Sequence, residues 1–229
     1  MKIINSLLLL SFICFTVSAK KSTNVVLILV DDLGWMDLSC QGSDFYETPH
    51  LDRLASEGVR FTDAYAACAV CSPTRAAIQT GRYPGRLGVT DWIRSRFQGG
   101  TIPSDGKNPS GFTGGKNRKW LVPQNALWME SEEVTIAELL KPMGYVSCHI
   151  GKWHLGANKW YPEEQGYDYN FGGCDYGQPP NYFDPFNQPK HKHEMIRAGI
   201  PSLPGRKPGQ YLSDREAEEA VGFINKHKD

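Results

Sequence analysis

Asn24-Val25-Val26-Leu27-Ile28-Leu29-Val30 is the stretch that most restricts the fold. A continuous apolar, β-branched run leaves no polar face for water. It therefore reads as a strand buried on both faces, as in a mainly parallel sheet with helices on either side. A layered α/β architecture is the expectation. The run ends abruptly at Asp31-Asp32, ahead of Leu33-Gly34-Trp35. In open α/β sheets ligands bind beyond the carboxyl ends of the strands, so the two carboxylates stand where a divalent metal could sit. The plainer reading has one carboxylate capping the next turn and the other in water. Adjacent carboxylates repel unless something positive stands between them.

The second constraint is Cys71-Ser72-Pro73-Thr74-Arg75, which runs directly into Ala76-Ala77-Ile78-Gln79-Thr80-Gly81-Arg82. Pro73 is tolerated in the first turn of a helix, the following residues propagate it, and Gly81 stops it. Cys71 then sits at or just before a helix N-terminus, where free N–H groups favour an anion or an anionic nucleophile. Arg75 lies one turn along the same face. Taken alone, the cysteine reads first as a small buried structural residue.

The remaining elements alternate as an α/β chain should. Thr48 to Gly58 reads as a short helix capped by Thr48, with Leu51, Leu54 and Ala55 on its apolar face. Val59 to Tyr65 reads as a strand leading to the cysteine loop. Trp92 to about Trp120 loses all periodicity and is locally basic through Arg94, Arg96, Lys107, Lys116, Arg118 and Lys119. Such a loop is solvated or touches an anionic ligand. Ser131 to Lys141 is expected as a helix ended by Pro142 and Gly144, followed by a strand over Tyr145 to Ile150. That strand delivers Gly151-Lys152-Trp153-His154-Leu155-Gly156 to the same edge as the two aspartates. Its glycines allow close backbone approach, and Lys152 and His154 point the same way if the segment is extended. Glu163 to Tyr182 looks irregular. Ser213-Asp214-Arg215-Glu216 reads as a capping box opening a last helix.

The chain carries 25 basic and 25 acidic side chains, so it has no general attraction for nucleic acid, and anion recognition must come from local placement. Lys2, the apolar run Leu7 to Val17 and Val17-Ser18-Ala19 read as a signal peptide over residues 1–19, with a retained membrane anchor as the alternative. Cys14 lies inside it, leaving Cys40, Cys68, Cys71, Cys148 and Cys174. Export permits disulfides, but an odd set leaves one thiol over. If that thiol is Cys71, the others could form at most two bridges, in any connectivity.

Together, Asp31-Asp32 after a strand, Cys71-Ser72-Pro73-Thr74-Arg75 with Thr80-Gly81-Arg82, and the Gly151 to Gly156 segment resemble the type I sulfatases. These have the alkaline-phosphatase-like fold, an α/β sandwich with a central, mostly parallel sheet flanked by helices. The resemblance spans Asn24 to the final helix. It implies that Cys71 is converted to formylglycine by a formylglycine-generating enzyme. The hydrated aldehyde attacks sulfur and expels sulfate by collapsing back to the aldehyde, a route closed to a serine alcohol. By position it implies Asp31, Asp32 and an oxygen derived from Cys71 as ligands of a divalent cation, usually calcium. Arg75 would anchor the formylglycine and neutralise its charge, and Lys152 would bind a sulfate oxygen as the S–O bond breaks. His154 would hydrogen-bond the diol and assist its deprotonation.

Thr74 stands where serine is common in the family, and Gln79 where leucine is usual. Family members are much longer, with further metal ligands and a second catalytic histidine and lysine at positions beyond Asp229. Residues 20–229 are therefore expected to be the N-terminal part of a catalytic domain, with sheet and metal site incomplete at the C-terminus. The expected function is hydrolysis of a sulfate ester on a carbohydrate or aryl group. The protein is expected to be exported: periplasmic or secreted, or routed through the ER to the lysosome in a eukaryote. No nucleic-acid partner is expected, and no membrane association after signal cleavage. The rivals are a phosphonate or phosphate ester hydrolase using the same chemistry, and an inactive secreted fragment.

Overall fold

The computed structural model describes residues 23–228 apart from 101 and 118. The expected signal peptide falls outside them. Internal contacts divide the chain into two units, 1–30 and 31–229. In the first, residues 23–30 belong to no helix or strand, and Val25 to Val30 are 43 to 69 % exposed. This corrects the expected buried strand. Burial of such a run comes from neighbouring strands, and none pairs with it among the described residues. The strand expected over Val59 to Tyr65 is likewise absent, with Val59 82 % and Phe61 74 % exposed.

In the second unit the elements run in order: helices α1 (Pro49–Glu57), α2 (Cys71–Thr80) and α3 (Pro84–Leu87), strands β1 (Phe112–Thr113) and β2 (Val122–Pro123), and α4 (Ile136–Leu140). Then come β3 (Cys148–Ile150), β4 (Tyr169–Phe171), α5 (Glu194–Ala198) and α6 (Leu212–His227). β1, inside the long basic loop, pairs antiparallel with β2 just beyond it. β3 and β4 pair in parallel, Cys148 opposite Tyr169, His149 opposite Asn170 and Ile150 opposite Phe171. This ladder is the parallel component of the α/β fold, and β4 arises from the segment read as irregular. No described helix is long and apolar enough to cross a membrane.

Caps explain where the helices begin. α4 starts at Ile136, not Ser131, because Thr135 and Glu138 form the capping box: Glu138 N–H donates to Thr135 Oγ1 at 3.2 Å and Thr135 N–H to Glu138 Oε2 at 2.8 Å. A 3-10 turn, Lys141–Met143, then ends on Gly144 in the left-handed region. The box expected at Ser213 does not form. α6 begins one residue earlier, at Leu212, so Ser213 is already inside the helix. Thr48 precedes α1, but its hydroxyl bonds Asp52 and Ser39 and makes no cap. Leu51 and Leu54, expected inward on α1, are 37 % and 60 % exposed.

The main core joins the motifs to one another. Ala76 of α2, Leu87, Val89 and Ile93 after it, and Trp153 and Leu155 pack in one buried cluster with Ala126 and Met129. The expected close approach at the glycines is also present. A Cβ on Gly156 (φ 137°) would lie 2.7 Å from Trp160 Cβ and 2.8 Å from Trp128 Cβ. Those two indoles stack with ring centroids 4.2 Å apart. Gly156→Ala is therefore expected to destabilise the protein by about 1–3 kcal/mol through overpacking and backbone strain. Thermal unfolding followed by circular dichroism should show a lower midpoint for it than for Gly85→Ala, where the added methyl meets nothing.

Candidate active site

α2 forms as the sequence dictates. Val70 is the extended N-cap residue and Cys71 the first helical residue. Gly81 closes the helix at φ 67°, its N–H donating to Ala77 O at 2.8 Å. Cys71 is half-buried with a free thiol, as are Cys40, Cys68 and Cys148; Cys174 is buried and also free, so none of the described cysteines is bridged. Burial pushes the Cys148 and Cys174 thiols up to about 12, which leaves them unreactive.

Arg75 and Lys152 converge on one carboxylate. Arg75 Nη2 is 3.2 Å from Asp31 Oδ1, and Lys152 Nζ donates to Asp31 Oδ2 at 2.5 Å. Arg75, 8 % exposed, also donates through Nη1 to the carbonyl of Lys152. The positive group that adjacent aspartates require is thus present twice over. Burial works to raise the pKa of Asp31, but the hydrogen bond from Lys152 and the charges of Arg75 and Lys152 outweigh it and hold the carboxyl below its ordinary value. Asp32 follows with a left-handed backbone, φ 55°. Among the described residues no three His, Cys, Asp or Glu side chains are grouped to hold a metal.

The extended path expected from Lys152 to His154 is broken at His154, whose φ is 61°. Its ring is buried, 2 % exposed, with Nε2 2.7 Å from Ile93 O. A carbonyl only accepts, so Nε2 carries the proton and Nδ1 the lone pair. Nδ1 is buried with no hydrogen-bond partner. Burial first, then the charge of Lys152, brings His154 down to about 4, so the ring is a neutral base at neutral pH. Gly177 leaves room for it: a Cβ there would stand 2.7 Å from His154 Cε1.

Ser72 ties these parts together. Its buried hydroxyl donates to His154 O at 2.9 Å and accepts the N–H of Ile93 at 2.9 Å. Nothing in the sequence marks Ser72 for this role. Glu216, read as part of a cap, instead sets its carboxylate against Gly151, where an added Cβ would be 3.1 Å from Oε1. Burial raises it to about 7, with Arg75 pulling the other way. Arg96, placed by sequence in a solvated loop, binds buried Asp175 through both Nε and Nη2 at 3.3 and 3.2 Å, and Tyr161 joins them.

A family profile described as Sulfatase matches residues 23–229. Rat arylsulfatase G is 37 % identical over 188 residues, 76 % of this chain and 30 % of that protein. Mouse N-acetylgalactosamine-6-sulfatase is 36 % identical over 213 residues, 90 % of this chain and 37 % of that protein. The chain thus spans well under half the length of these relatives. Among solved structures, Ps i-CgsB in complex with a neocarrahexaose superposes with a TM-score of 0.60 at 29 % identity, covering 86 % of this chain and 40 % of that one. A structure from work on glycosaminoglycan metabolism by Bacteroides thetaiotaomicron gives 0.56 at 27 %, covering 87 % and 47 %.

His149, half-buried with its ring against Trp153 and Tyr167, is also brought down to about 4, by desolvation of the ring and then the charge of Arg75. For both histidines the folded value lies below the unfolded one of about 6.5, so the unfolded chain binds protons that the folded chain does not. Their contribution to stability is complete above about pH 6.5 and is lost as pH falls toward about 4. Urea unfolding between pH 7 and 4.5 should show stability dropping with acid, and His149→Gln should flatten that slope.

Proposed function

Because the chain belongs to the sulfatase family, we propose that it carries the nucleophile and the anion-binding cluster of an enzyme that hydrolyses a sulfate ester. The observation that carries this reading is the convergence of Arg75 and Lys152 on Asp31, one helix turn from Cys71 and joined through Ser72 to a neutral, buried His154. Formylglycine, made from Cys71 by a formylglycine-generating enzyme, supplies an aldehyde hydrate as nucleophile toward sulfur. Around it, Arg75 is fixed by the Lys152 carbonyl and Asp31 and opposes negative charge at the start of α2. The ammonium of Lys152 rests on Asp31, and an incoming sulfate oxygen competes for it. His154 presents the lone pair of Nδ1 to accept a hydroxyl proton, its orientation fixed by Nε2–H on Ile93 O.

Asp31 and Asp32 are the chain's candidate ligands for a divalent cation, calcium by family resemblance, together with an oxygen derived from Cys71. A hard cation takes about six or more oxygens. The described residues offer two carboxylates, and both oxygens of Asp31 already face cationic groups. By themselves they do not fit the ion. The relatives named for an amino-sugar sulfatase or solved with an oligosaccharide favour a sulfated glycan as the substrate class. Export through the signal peptide at 1–19 belongs to the same reading.

The test is expression with a formylglycine-generating enzyme, mass spectrometry of the peptide containing Cys71, and assay against aryl sulfates and aryl phosphonates. An aldehyde at position 71 is expected and, in the full-length protein with its cation ligands complete, release of sulfate, with kcat lowered about 100- to 1,000-fold by Lys152→Ala. A thiol that survives maturation in a competent host, or cleavage of phosphonates without sulfates, overturns the reading.

A further inference from the structure

We infer that Asp175, through its bonds to Arg96, is a positioning residue for the His154 imidazole; its bearing on catalysis rests on the sulfatase reading above. His154 lies between two chain segments. Its Nε2–H donates to Ile93 O at 2.7 Å and its backbone N–H donates to Cys174 O at 2.9 Å. Gly177 stands against the ring, where an added Cβ would be 2.7 Å from Cε1. The segment starting at Ile93 thus holds the imidazole, and the segment starting at Cys174 holds the backbone that carries it.

Asp175 and Arg96 join these same two segments directly. Asp175 follows Cys174 in the chain, and Arg96 lies one short stretch beyond Ile93. Asp175 Oδ2 accepts the backbone N–H of Arg96 at 3.0 Å and its Nε–H at 3.3 Å, while Oδ1 accepts from Nη2 at 3.2 Å and from the Tyr161 hydroxyl at 3.1 Å. The guanidinium therefore meets both carboxylate oxygens. Arg96 is itself set at the start of a 3-10 turn, Arg96–Gln98, that opens on a capping box between Ser95 and Gln98.

Stability alone does not account for this pair. Asp175 is 1 % exposed, and a buried ion pair often stabilises a fold no more than apolar residues of the same volume would. What an apolar contact lacks is direction. Bonds from several donors to one carboxylate admit one alignment of the two segments, and that alignment sets where Ile93 O meets the ring. The same carbonyl selects the tautomer with the proton on Nε2 and the lone pair on Nδ1. Nε2 is taken by Ile93 O and Nδ1 has no partner, so Asp175 acts on the imidazole only through the backbone between them.

The test is nuclear magnetic resonance of the unmatured protein carrying nitrogen-labelled histidine, with His154 assigned by its loss in His154→Gln. A fixed tautomer keeps the signals of the protonated and unprotonated ring nitrogens far apart, and exchange between tautomers draws them together. Wide separation is expected in the wild type, and convergence in Asp175→Asn and in Arg96→Lys, which keeps charge but loses the planar fork. Thr135→Ala removes a buried hydroxyl from the cap of α4 and serves as the control for general loosening; it should leave the His154 signals apart. In the matured full-length protein Asp175→Asn is expected to lower kcat on an aryl sulfate about 10- to 100-fold with little change in KM. Ring signals that stay apart in both variants overturn the proposal, as does equal convergence in Thr135→Ala or a kcat unchanged where the signals have converged. Failure of the matured full-length wild type to release sulfate overturns the sulfatase reading instead, while the ring signals still decide whether Asp175 positions His154.

Discussion

One buried hydroxyl holds the candidate site together. Ser72 Oγ bonds the carbonyl of His154 and the N–H of Ile93, so α2, the segment after α3 and the loop after β3 meet at a single atom. Each of those backbone groups would otherwise be buried without a partner, at about 1–3 kcal/mol apiece. The packing follows this polar contact. Ala76, Ile93, Trp153 and Leu155 lie in one cluster because the backbones carrying them are pinned there. The imidazole of His154 takes its tautomer from the same Ile93 peptide.

Charge is concentrated at the candidate site although the chain is neutral overall. Arg75 and Lys152 face Asp31, Asp32 is next in the chain, and His154 is neutral. Low exposure around Arg75 keeps water from screening these charges. Placement and burial, more than net charge, decide how such a cluster meets a ligand.

What was legible in the sequence was local. α2 came out almost residue for residue, because Pro73 and Gly81 act through their own backbones. β3 and the close approach at Gly156 were legible for the same reason. The failures were non-local. The apolar run ending at Val30 carries every mark of a buried strand, but a strand is completed by neighbours that its own residues do not specify. Capping gave an instructive exchange. Ser213 to Glu216 matched the pattern and did not form a cap, while Thr135-Ile136-Ala137-Glu138 matched it equally and did. The difference lies in tertiary contact: Thr135 is also fixed by Gln165 O at 2.7 Å, and Glu216 is drawn away to Gly151. Lys152 and His154 were read as sharing one side of an extended segment, and the positive φ at His154 breaks that extended path.

Gly177 belongs to none of the motifs, and the imidazole of His154 occupies the space where its side chain would be. The recognisable signature is therefore not a self-sufficient part. Transplanting the Cys71 and Lys152 segments into another scaffold would carry over the candidate side chains and leave behind the empty position that lets one of them lie in place. Any search for distant relatives, or any attempt to build such a centre anew, has to include that missing Cβ in its template.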